Sequence, residues 1–200
     1  QSTAKILYYW IEWNSFDGDQ VMKRLILFLF FITNVSVAQT FLTESGNVNF
    51  LSKASLSEFN GVSDKLNGLI DLSGNVLDFY VDLNTLDTGI GLRDKHMRDN
   101  YLETEKYPFA EFTGKFNAIP GLTIGSKIPV TANGKFKIHG VERQIQVKGT
   151  LSKNDKSELE LEAGFEVLLS DYKIPVPKLI FYELAENQTV TIKATLKPKK

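Results

Sequence analysis

The chain has 200 residues, a formal net charge of −1, 42% hydrophobic residues and no cysteine. That length suits one domain with a sizeable core, and near-neutral charge without a long Lys/Arg run excludes a nucleic-acid-binding surface. The absence of thiols excludes disulfides, thiolate catalysis, Cys-based zinc sites and iron–sulfur clusters.

The first readable element is a leader. Residues 22–39 read MKRLILFLFFITNVSVAQ. Lys23 and Arg24 follow Met22, an apolar run extends from Leu25 to Ile32, and Ser36 and Ala38 are small. This is the three-part pattern of a secretory signal peptide, cut between Ala38 and Gln39. The apolar run is shorter than the ~20 residues that a bilayer span requires. Translation is therefore expected to begin at Met22. Residues 1–21, which carry both Trp10 and Trp13, are expected to lie outside the natural protein. Residues 39–200 then form a single periplasmic or secreted domain.

Beyond the leader, period-two alternation dominates, the mark of half-buried antiparallel strands. NVLDFYVDLNTL places Leu77, Phe79, Val81 and Leu83 on one face and Asp78, Tyr80 and Asp82 on the other. FAEFTGKF sets Ala110, Phe112, Gly114 and Phe116 against Glu111, Thr113 and Lys115. VTANGKFKI, RQIQVKGTL, SELELEAGFEV and TVTIKATLK alternate in the same way. Turn signals fall between the runs, at 73–75, 119–121, 139–140 and 153–156. About eight strands are expected, joined mostly by hairpins. Each has one wet face, so the sheet must fold over as a sandwich or close into a barrel.

One stretch breaks the alternation. LRDKHMRDNYLE, residues 92–103, reads as a short helix in a crossover between strands. Asp94 and Arg98 stand four apart in the favourable acid-before-base order. The cluster of Arg93, Asp94, His96, Arg98 and Asp99 admits several roles. As a catalytic site it is poor, because Asp94 and His96 are two apart and do not face each other on a helix. No metal-ligand spacing accompanies His96 and His139, the two histidines of the chain. Arg93 and Asp94 could tie the helix to a barrel rim, with His96 hydrogen-bonded beneath it. Arg93 or Arg98 could instead hold a phosphate or carboxylate through the guanidinium fork. His139, before Gly140, reads as a turn histidine bonding backbone.

Four motifs occur in order: LNTLDTG, LRDKHMRDNYLETEKYP, AEFTGKF and GKFKIHGVERQIQV. Together they resemble the YceI family of secreted, lipocalin-like proteins, over about residues 40–197. The segment KIPVPKLIFYELAEN departs from the Asp-Phe-Gly type of sequence common near that point in the family. The resemblance implies an all-β, extended antiparallel barrel of about eight strands with a short helix in the crossover near 92–103. It also implies an apolar pore for a long-chain lipid, either a polyisoprenoid or a fatty-acid derivative. No catalytic mechanism is implied.

The expected pore lining is Phe79, Val81, Leu83, Phe112, Phe116, Phe136 and Ile138, with Arg93, His96 and Arg98 at the head-group rim. No cofactor, nucleic-acid partner or stable membrane insertion of the mature chain is expected. Assembly as a homodimer stands beside the monomer. The competing reading is a barrel with a filled core that acts through its outer surface as a stress-associated interaction module; an enzyme comes third.

Overall fold

The computed structural model describes residues 39–55, 57–119, 121–176 and 184–199. The upstream segment and the leader, including Ala38, lie outside these residues. Eight strands follow in order: β1 (Thr40–Lys53), β2 (Glu58–Asp71), β3 (Val76–Asp82), β4 (Phe109–Phe116), β5 (Lys127–Ile138), β6 (Val141–Lys153), β7 (Leu159–Leu168) and β8 (Asn187–Pro198). Each pairs antiparallel with its chain neighbours, and β8 returns to β1, so the sheet closes into a barrel. Closure settles the choice between sandwich and barrel, and it removes the unpaired edges that an open sheet would expose.

The alternation seen in the sequence becomes the inside and outside of the wall. Along β3, Phe79 and Val81 are buried while Asp78 and Tyr80 are exposed. The outer face carries cross-strand ion pairs. Lys137 reaches Glu111 at 2.9 Å on its partner strand, and Lys135 reaches Glu142 at 2.8 Å. Such exposed pairs contribute little, about 0–1 kcal/mol each; their main effect is to keep that face wet.

Strand ends sort into two poles. At one pole lie the short turn after β2, the segment from β4 to β5, and the chain ends beside Thr40 and Pro198. Here the interior is packed solid. Leu159 and Leu196, directly paired across β7 and β8, are 0% exposed, Ile70 is 1% and Leu151 is 2%. Phe41 and Phe116 complete this floor, with Leu72, Ile119 and Leu122 packed against it. At the other pole lie the crossover from β3 to β4, the β5–β6 turn and the 3-10 turn Leu169–Tyr172 that follows β7.

The crossover begins with a 3-10 turn, Leu83–Thr85, capped by the Asp82 side chain, which accepts from the Asn84 N–H. It continues as helix α1 (Gly91–His96) and then as a wider π-helical turn, Met97–Leu102. Glu103, in the left-handed region at φ 47°, ends the helical stretch. A helix was expected over 92–103; the change to π geometry part-way along was not. Such wide turns recur at functional sites.

Candidate functional site

A cavity of about 630 Å³ runs through the upper and middle barrel. Pockets of about 300–1,000 Å³ suit a single small ligand. The interior is therefore open where a filled barrel would hold packed side chains. The lining is almost wholly aliphatic and aromatic, and it comes from every strand.

The bore stays open because of glycine. Gly68 on β2 pairs with Phe79 on β3. A Cβ on Gly68 would fall 2.1 Å from the Phe79 ring. The ring thus lies along the wall, over the neighbouring strand, rather than pointing across the lumen. Gly134, paired with Gly114, makes room for Phe112 in the same way, with a Cβ position only 2.8 Å from that ring. Phe136, the β5 partner of Phe112, makes edge-to-face contacts with Phe165 and Tyr172, with centroids 5.2 and 5.5 Å apart. Burial pushes the Tyr172 phenol up from its usual value, so it remains a neutral part of this wall.

Six of the seven expected lining residues border the cavity: Phe79, Val81, Leu83, Phe112, Phe136 and Ile138. Phe116 does not. It points inward and is 5% exposed, but it closes β4 at the floor, opposite Ala132. Alternation fixes the face a residue occupies, not its depth along the barrel axis. The sequence reading missed Met97, Tyr101 and Leu102, which border the cavity from the crossover. Met97 and Tyr101 are one helical turn apart, and that spacing was the available signal.

The charged cluster divides. Thr88 is held by the adjacent pair Arg93 and Asp94. Its backbone N–H and its hydroxyl both donate to Asp94 Oδ1, at 2.9 and 2.5 Å. Arg93 Nε donates to the same hydroxyl at 2.9 Å, and Nη2 donates to the Thr88 carbonyl at 2.8 Å. The guanidinium also lies 4.2 Å from the centre of the Phe59 ring on β2. The D-T-G turn and the R-D pair therefore form one clasp that fastens α1 to β2. A backbone bridge between Val62 and Asp87, with both bonds at 2.9 Å, secures the same side.

Asp94 is thus turned onto Thr88 and does not meet Arg98. The i,i+4 ion pair of the helix is instead Lys95 with Asp99, and the Lys95 ammonium holds the Asp99 carboxyl below its usual range. His96 is exposed at the mouth and borders the cavity. Among the described residues its ring makes no hydrogen bond, so the bond expected beneath the helix is absent. Arg98 is half-buried and does not border the cavity. The far end of the crossover is pinned by His139. Its Nδ1 lies 3.0 Å from the Tyr172 carbonyl, to which it donates, and its Nε2 lies 2.8 Å from the Glu103 carboxylate. The expected turn histidine thus bonds backbone, and it also joins three mouth segments.

Among the described residues no cluster of three or more His, Asp or Glu could hold a metal ion, and no helix is long and apolar enough to cross a membrane. The arrangement is a covered, greasy bore with one packed end and polar groups at the other.

The family described as YceI-like domain matches residues 39–197. No curated protein matches the chain. Among solved structures the chain is similar to a polyisoprenoid binding domain from Saccharophagus degradans, at 20% identity and a TM-score of 0.68, covering 81% of this chain and 99% of that one. It is also similar to BcnA from Burkholderia cenocepacia, at 14% identity and a TM-score of 0.62, covering 76% and 95%. The YceI protein of Campylobacter jejuni follows at 18% identity and 0.57, covering 74% and 89%.

Proposed function

The chain belongs to the YceI-like family, and from that premise we propose that it is a secreted or periplasmic protein that sequesters or transports a long-chain amphipathic lipid, a polyisoprenoid or fatty-acid derivative, in its barrel. The observation that carries this reading is the bore itself, about 630 Å³ of apolar space closed at one end. Burying a ligand chain there contributes about 0.8 kcal/mol per methylene, so hydrocarbon alone supplies ample affinity. The polyisoprenoid-binding neighbour supports the same class of ligand.

The lipid enters tail-first, because the floor is packed and the polar border is at the mouth. His96 and the remaining donors of Arg93 meet the head group there. Arg93 also fastens the crossover, so His96 is the cleaner probe of head-group binding. Arg98 takes no part, being outside the lining.

Native mass spectrometry of the mature chain, purified without detergent, tests the reading. A discrete added mass that becomes a long-chain lipid on organic extraction supports it. A bare polypeptide mass, with no uptake from prenol or fatty-acid mixtures, overturns it. A second expectation concerns the glycine seat. Gly68→Val forces the Phe79 ring off the wall and into the lumen. Overpacking of this kind costs about 1–3 kcal/mol. Lipid uptake is expected to fall with it in the same mass-spectrometric assay, while the β-sheet circular dichroism is retained.

A further inference from the structure

We infer that the floor of the barrel is a chain-length ruler that limits the ligand to one chain about as long as a single bilayer leaflet is deep. This rests on the lipid-binding reading and adds a selection rule to it.

The first observation is the abrupt change along each strand. On β7 the lining runs from Val167 down to Leu161, and two residues further Leu159 is 0% exposed and borders no free space. On β4 the lining ends at Phe112, and Phe116 lies below it in the packed core. On β6 the lining ends at Gly149, and Leu151 is 2% exposed. Ile70 on β2 and Leu196 on β8 are likewise buried and border no part of the cavity, so the lining stops short of the same pole on five strands. That is a built floor rather than a local constriction.

The second observation is depth. On β5 the lining spans Val130 to Ile138, eight residue steps. At ~3.3 Å per step and the ~40° tilt of barrel strands, this is an axial depth of about 20 Å. On β7 the span from Leu161 to Val167 is six steps, or about 15 Å on the same basis. A bilayer's hydrocarbon core of about 30 Å gives each leaflet about 15 Å. A chain longer than this must fold back or leave methylenes in water at the mouth, losing about 0.8 kcal/mol for each.

Two residues set the level. Ala132 borders the lower cavity, one inward position above Val130, and stands beside its β4 partner Phe116, which is packed in the core. A large side chain at 132 raises the floor, and loss of the ring at 116 lowers it. The floor sits directly under the bore, so both changes act on length and leave the mouth untouched.

The test offers the whole mature chain an equimolar ladder of saturated fatty acids from lauric to lignoceric acid, and a parallel ladder of farnesol, geranylgeraniol and solanesol. Bound species are read by native mass spectrometry. The wild type is expected to favour palmitate and stearate over lignocerate, and geranylgeraniol over solanesol. Ala132→Phe is expected to shift the laurate-to-stearate ratio toward laurate by about tenfold, the effect of one to two methylenes. Phe116→Ala shifts the preference toward longer chains. If Phe116→Ala does not fold, Ala132→Phe alone decides. Lipids retained with no length preference, or a preference that neither variant moves, overturns the ruler while leaving the carrier reading intact. No lipid retained by the wild type overturns the carrier reading itself.

Discussion

Ile192→Asp is expected to abolish lipid retention while leaving the barrel folded. Ile192 sits midway along β8, borders the cavity and is only half-buried. In the empty barrel, water in the bore can hydrate the new carboxylate, so the apo protein tolerates it. A bound chain would strip that water away. An unpaired charge against hydrocarbon then costs several kcal/mol, and each 1.4 kcal/mol is about a tenfold loss of affinity. The expected outcome is a loss of at least about a hundredfold, read as the disappearance of the lipid-bound peak in native mass spectrometry, with the thermal transition still cooperative. Undiminished retention would show that the ligand does not occupy this part of the bore.

Leu159→Ala is expected to do the reverse. This side chain is 0% exposed and faces Leu196, also 0% exposed, across the β7–β8 pair. Nothing at the floor can collapse to fill the gap, because the surrounding strands are held by the closed ladder. Removing a buried leucine side chain costs about 2–5 kcal/mol. A domain of this size loses about 2–4 °C of Tm per kcal/mol, so thermal denaturation should show a clear drop. Lipid retention well below the transition should persist, since Leu159 borders no part of the cavity. A loss of binding without a loss of stability would place the ligand at the floor and contradict the division between plug and bore. Taken with Ile192→Asp, the pair separates a residue that holds the fold from one that holds the ligand.

Much of the wall was legible before the structure. The runs on β3 to β8 alternate cleanly, and their polar faces do lie outside. The first two strands were harder to read. On β1 the register with β2 shifts between Thr43, Gly46 and Val48, and such bulges displace the period of two that betrays a strand. On β2, interior positions are taken by Gly61 and Gly68, which carry no apolar signal of their own. Rings from neighbouring strands, Phe50 and Phe79, cover them instead. The D-T-G and R-D motifs were visible as a pattern. That Thr88 is the object both halves grip was not, because five or six residues of intervening turn had to fold first.

The sequence by itself determined about eight antiparallel strands, each with one wet face, through alternation and turn signals, and located the crossover helix where alternation fails. These are local properties, set by the backbone period and by residues a few positions apart. Only the tertiary structure decided that the bore is open, that one pole is sealed, and that Phe116 lies in the seal rather than in the lining. It also decided that Arg93 is committed to Thr88 and Phe59. Each of those depends on where a side chain lies relative to strands distant in sequence. A phenylalanine fills a lumen or lines it according to whether a glycine faces it across the sheet, and pairing alone brings the two together.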